Sequence, residues 1–221
     1  MFDFSLQRLV YVVPAIIIAL TFHEYAHARA SYAFGDPTAK NAGRLTLNPL
    51  KHLDIAGTLL LVLVGFGWAK PVPINPFYYG ENRGRKLMLV SAAGPLMNLA
   101  EALVGMLILT LLVHVAANYP ALYFGVGFAN SAYYYFINLL QYFVSINIVL
   151  MVFNLIPIPP LDGSKLLTGL LPPDKIDIVL ALERYGFIIL IALMFFNVLD
   201  VIISAPAGWI LDGLYRLFGL A

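Results

Sequence analysis

Long apolar stretches separated by short polar ones run the length of the chain, and their lengths sort them. Residues 6–27, 87–117, 131–156 and 176–203 are each long and apolar enough to predict a helix crossing a bilayer, which takes about 20 residues. Pro14 lies inside the first stretch and predicts a kink there. The run Leu53–Phe66 spans only about 14 residues, too few to cross. After it come prolines 71, 73 and 76, which exclude a regular helix and favour extended chain. The tail Trp209–Leu220 carries Asp212 and Arg216, a pattern that suits a helix lying in the membrane interface.

Charge placement orders these stretches across the membrane. Arg29, Lys40, Arg44 and Lys51 fall in 28–52, Lys70, Arg83, Arg85 and Lys86 in 67–87, and Lys165 and Lys175 in 155–178. Residues 118–130 carry no charge. By the positive-inside rule the three basic stretches are cytoplasmic and the uncharged one is external. Four crossings satisfy that assignment if 53–66 enters and leaves by one face. A true crossing there would split the first two basic stretches, and the pattern alone leaves both arrangements open. The expected fold class is therefore an all-α polytopic membrane protein of four to six transmembrane helices, with a short re-entrant or extended segment near residues 53–80. A single membrane-embedded domain is expected over 1–221, with a core at about 10–170 and a C-terminal span and interfacial tail over 176–221.

Composition agrees. The chain is 61% hydrophobic and 11% charged, so part of its solvent is lipid. A net charge of +1 gives no reason to expect nucleic acid, and the absence of cysteine excludes disulfides and thiolate chemistry. The first apolar run ends in polar, histidine-containing sequence and has no small-residue cleavage site. It reads as a retained span and not as a signal peptide.

That ending is His23-Glu24-Tyr25-Ala26-His27. Four residues make about one helical turn, so both imidazoles can face one ion, with Glu24 beside them as a base. Histidine and glutamate are costly in hydrocarbon unless coordinated or paired, although a purely structural hydrogen-bonded pair fits the same positions. Zinc at a catalytic site takes three protein ligands and keeps a place for water. Asp162, on the turn Pro157-Ile-Pro159-Pro160-Leu-Asp162-Gly163, is the candidate third ligand, because the prolines restrain it and Gly163 permits close backbone approach. A hydrated Asp-Gly surface turn is the plain alternative. A developing oxyanion needs a neutral donor, and Asn154 and Asn147 lie one or two turns before that segment. Either also suits a role as a polar link between helices. Trp68, Lys70, Pro71, Pro73 and Asn75 form a possible platform on which an unfolded substrate adds as a strand. They equally suit a rigid connector anchored in the interface. Asn98, a further candidate for positioning substrate or oxyanion, shares a helix face with Glu101. Of the remaining imidazoles, His52 suits a loop-fixing role or an alternative third ligand, and His114 lies near the uncharged external end, away from the metal. Ser91-Ala-Ala-Gly94 lets helices approach closely.

At these residues the chain resembles the site-2 protease family, the intramembrane zinc metalloproteases of peptidase family M50. The matching pieces are HExxH at 23–27, Asn154…Pro159…Asp162-Gly163 and Gly94-Pro95-Leu-Met-Asn98. The loops Asn48–Thr58 and Gly67–Pro73 are similar to those of short prokaryotic members. The resemblance implies one Zn2+ held by His23, His27 and Asp162, with Glu24 as the general base and Asn154 holding substrate or oxyanion. It implies peptide-bond hydrolysis in membrane-embedded proteins, a multi-pass location in a prokaryotic plasma membrane, and an active site nearer the cytoplasm. The PDZ and nucleotide-sensing domains of some relatives are not seen in this sequence. Two other classes fit parts of the pattern: a non-catalytic scaffold or binder, which would not need Glu24, and a small metal-ion transporter, against which the lack of duplicated halves weighs.

Overall fold

The computed structural model describes residues 6–54, 56–57, 69–119, 127–171 and 176–220. Six helices carry the architecture: α1 (Leu6–Ala33), α2 (Arg83–Asn118), α3 (Phe128–Asn154), α4 (Asp162–Leu170), α5 (Ile176–Phe195) and α6 (Val198–Leu217). Among the described residues there is no β-sheet, only an isolated antiparallel bridge between Leu53 and Ala69. Among the described residues, four helices are long and apolar enough to cross a membrane: Arg8–Ala33, Arg83–Asn118, Phe128–Asn154 and Val198–Leu217. This is the all-helical multi-pass fold expected.

In lipid the tails are as apolar as leucine, so helices associate by close packing and polar contacts. The α2–α3 seam is the most extensive. Ala102, Met106 and Leu109 of α2 pack with Val144, Ile148 and Met151 of α3 and with Ala207 and Leu214 of α6. Gly105 lets the two backbones close up, since a Cβ there would stand 2.9 Å from Phe143 Cδ1. On α1, Val12, Ala15 and Ala19 pack on Ile146 of α3. The outward faces carry exposed Leu96, Val104 and Leu111 on α2, Phe187 and Ile188 on α5, and Val201 and Trp209 on α6. Such a surface suits hydrocarbon.

Three differences from the expected spans have physical causes. α1, with Pro14 inside it as expected, extends past His27 to Ala33, because Ala28 and Ser31 stay buried and the helix stops only where Gly35 adopts φ 96°. The expected last span, 176–203, is two helices that break at Phe196-Asn197, with Asn197 left-handed at φ 55°. Asparagine tolerates that conformation better than other side chains except glycine. The tail does not begin a separate element: Trp209–Leu217 belongs to α6, whose Ala207 and Leu214 are buried against α2 and α3.

The connection from α1 to α2 is well tied. Lys70 N–H donates to His52 O at 2.9 Å, and Arg44 Nη2 donates to Lys70 O at 2.5 Å. With the Leu53–Ala69 bridge, these contacts join the two flanks of the short run. Residues 52–54 and 69–70 therefore lie side by side. Most of Leu53–Phe66, with Trp68, lies outside the described residues. A second tie is Asp36, fully buried, whose carboxylate accepts from Ser31 Oγ (2.7 Å), Thr38 N–H (2.9 Å), Thr38 Oγ1 and Asn75 N–H (2.8 Å). Burial works to raise the Asp36 carboxyl, but these donors outweigh it and hold the group below the usual carboxylate range. Ser31 spends its proton on Asp36, so Tyr79 O–H donates to Ser31 Oγ, at 2.8 Å.

Candidate metal centre

One turn of α1 sets His23 and His27 over each other, and the first residue of α4 brings Asp162 to them. All three are buried. The two Nε2 atoms are 3.0 Å apart, and Asp162 Oδ2 lies 3.0 Å from His27 Nε2 and 3.3 Å from His23 Nε2. Ligands about 2.05 Å from a tetrahedral ion stand roughly 3.3 Å from one another, so the triangle has nearly the size zinc requires.

The donor set also fits a cation. His27 Nδ1 lies 2.8 Å from Val90 O, a carbonyl that can only accept, so Nδ1 carries the proton. His23 Nδ1 lies 2.6 Å from Asn98 Oδ1, with the same result. In the neutral rings both Nε2 atoms then present lone pairs, and they face a carboxylate oxygen. One shared proton relieves one of the three contacts, whereas one divalent cation relieves all of them. Burial works to raise the Asp162 carboxyl, and a proton taken up on the facing imidazoles, which makes one of them a cation and a donor, holds it well below the usual carboxylate range. Lys165 Nζ, one turn on and 3.9 Å from Oδ1, adds a weak pull.

Glycine makes the room. A Cβ on Gly94 of α2 would fall 2.5 Å from His23 Cε1 and 2.6 Å from His23 Nε2, and closer still to His27 Nε2. A Cβ on Gly163 would strike the Leu155 and Ile156 carbonyls at the end of α3, so this glycine sets how closely Asp162 comes in.

Glu24 is buried on α1, three residues before His27, and its Oε2 accepts from Val72 N–H at 2.8 Å. Val72 belongs to the non-helical segment 70–75, in which Lys70 and Pro71 are exposed while Pro73 and Asn75 are half-buried. That stretch passes over the helix end, with Val72 packed on Ala28 and Ala39.

The other candidates fall as follows. Asn98 is fully buried and gives its oxygen to His23, while its Nδ2 donates to Asn147 Oδ1 at 2.8 Å. Asn154 is half-buried and donates to Leu150 O at 3.0 Å within its own helix. His52 is fully buried, with Nε2 2.8 Å from Thr46 O, and fixes the loop. His114 is exposed on α2, on the far side of Glu101 from Gly94, and Glu101 is buried with neither carboxyl oxygen hydrogen-bonded. Sequence reasoning treated Gly94 as packing and did not single out Val90, Val72 or Asp36. The Gly94…Asn98 spacing was the available signal for the first; a backbone donor or acceptor leaves none.

An all-helical membrane body holding a HExxH pair closed by a distant aspartate defines an integral-membrane zinc metalloprotease. The chain belongs to peptidase family M50, whose sequence model matches residues 11–196. Two similar proteins each carry the name "Putative zinc metalloprotease". YwhC of Bacillus subtilis is 40% identical over 190 residues, covering 86% of this chain and 82% of its own length. Rip2 of Mycolicibacterium smegmatis is 28% identical over 214 residues, covering 94% of this chain and 72% of its own. No solved structure matches the chain at comparable significance.

Proposed function

We propose that the chain, acting as one membrane-embedded protease domain, hydrolyses peptide bonds in membrane-embedded segments of other proteins, with His23, His27 and Asp162 holding one Zn2+ and Glu24 as general base. The observation that carries this reading is the triangle of two imidazole nitrogens and one carboxylate oxygen, 3.0–3.3 Å on a side. The names of both relatives favour zinc as the ion. When bound, the ion supplies Lewis acidity, lowering the pKa of water and polarising the scissile carbonyl.

The chain's own groups supply the rest. Glu24 takes the proton of the attacking water at a carboxylate oxygen and passes it to the departing amine. Its Oε2 is held by Val72 N–H, so the segment 70–75 orients the base. Asn154, with one amide hydrogen on Leu150 O, offers the other to the carbonyl oxygen of the substrate. Asn98 has its oxygen on His23 and its nitrogen on Asn147, and serves the site through His23. Substrate reaches the site extended, beside Lys70, Pro71, Pro73 and Asn75, where prolines leave backbone carbonyls without neighbouring N–H groups. The site opens toward the cytoplasm of a prokaryotic plasma membrane, because it lies near the joined, basic connection between α1 and α2.

The test is Glu24→Gln in purified protein given a model transmembrane substrate. Zinc should stay at about one per chain while cleavage falls by about 10²–10⁴-fold, the usual worth of a positioned base. Undiminished cleavage would remove Glu24 from that role.

A further inference from the structure

We propose that Asn147 of α3, whose side chain hydrogen-bonds to Asn98 and Phe143 O, is a positioning residue that fixes the metal-binding tautomer of His23 by fixing which way the Asn98 amide faces. The inference rests on the metal centre described above.

An amide side chain is nearly symmetric in shape, and its two ends are opposite in polarity. If Asn98 faces His23 with Oδ1, Nδ1 carries the proton and Nε2 is a free ligand. If it faces His23 with its NH₂, Nδ1 must accept, the proton moves to Nε2, and the ring cannot bind an ion at that nitrogen. Shape alone does not choose between these states, so a chain of directional contacts has to. It starts at a group with no ambiguity: Phe143 O can only accept, and Asn147 Nδ2 donates to it at 3.0 Å. Asn147 therefore presents Oδ1 on its other side, where it accepts from Asn98 Nδ2 at 2.8 Å. Asn98 in turn presents Oδ1 to His23 Nδ1 at 2.6 Å. The second Asn98 amide hydrogen points at Ala19 O, 3.5 Å away and too long to hold the orientation alone. Asn98 and Asn147 are both fully buried, so no water replaces a lost partner cheaply. The polarity of one backbone carbonyl on α3 is thus transmitted through two amides to a ligand on α1.

The experiment is a four-way comparison of zinc retention against a chelator, using full-length holoprotein in detergent: wild type, Asn147→Leu, Asn98→Asp and the double variant. A carboxylate at position 98 accepts from His23 whichever way it turns, so it has no wrong orientation. With Asn98 intact, Asn147→Leu should weaken zinc retention by about 10–100-fold, the usual worth of an outer partner of a ligand. In the Asn98→Asp background the same change should cost less than about threefold, a non-additivity reserved for residues acting as a unit. An equal cost in both backgrounds would reduce Asn147 to packing and overturn the proposal, as would no cost with Asn98 intact. Asn147→Ala carries the same comparison if the leucine variant does not fold. A wild type without zinc would instead refute the metal centre itself.

Discussion

Two aspartates are buried near the α1–α2 connection, and their surroundings are opposite. Asp36 is ringed by donors: the N–H groups of Thr38 and Asn75 and the hydroxyls of Ser31 and Thr38. Asp162 faces two imidazole nitrogens whose protons sit on the far side of their rings. The first carboxylate is complete within the protein and fastens the segment 70–79 to α1. The second has Lys165 Nζ 3.9 Å from Oδ1, but its Oδ2 faces only imidazole lone pairs and is completed by a positive charge from outside the chain. Burial alone does not mark a functional carboxylate; what marks it is burial among acceptors.

The largest effect that sharpens this contrast is on the metal. Asp162→Ala should reduce zinc from about one per chain to near none, with cleavage falling to background, whereas Asp36→Asn should keep zinc; metal analysis of the two proteins separates them. Loss of zinc from both variants would break the contrast. Next comes Gly94→Ala, which drives a methyl into the His23 and His27 rings. We expect weaker zinc retention together with about 1–3 kcal/mol of overpacking cost, read by chelator competition and thermal unfolding. Asp36→Asn sets an amide NH₂ against two of the four donors and should cost about 1–3 kcal/mol of stability, with slower cleavage as Val72 loosens its hold on Glu24. The smallest effect is in pH. A carboxyl held below its ordinary value stabilises the fold above the usual carboxylate range and loses that contribution as pH falls through its own lower value. The stability difference between wild type and Asp36→Asn should therefore be full near neutrality and shrink in acid; a gap unchanged in strong acid would contradict the assignment.

How much of this was legible in the sequence depends on the kind of interaction. Apolar runs gave the helices, because lipid demands length and little else. His23 and His27 were legible because their spacing is itself helical geometry, and Asp162 because prolines announce a restrained turn. The break at Phe196-Asn197 was not, since apolar residues continue through it and one left-handed asparagine ends the helix. Asp36 in Gly35-Asp36-Pro37 looks like an ordinary turn; its partner Asn75 is 39 residues away and two of its donors are backbone. Asn98 was visible as a polar residue in a span, but the direction of its amide is a property of α3 and is written in no local pattern.

The most direct test of the central claim is X-ray absorption at the zinc edge on purified full-length protein, paired with metal analysis. About one zinc per chain with two imidazole nitrogens and carboxylate oxygen at roughly 2.0–2.2 Å, and loss of the zinc itself from Asp162→Ala, is the expected result. Cleavage-competent protein free of metal, or zinc whose coordination is unchanged when Asp162 is replaced, would contradict it.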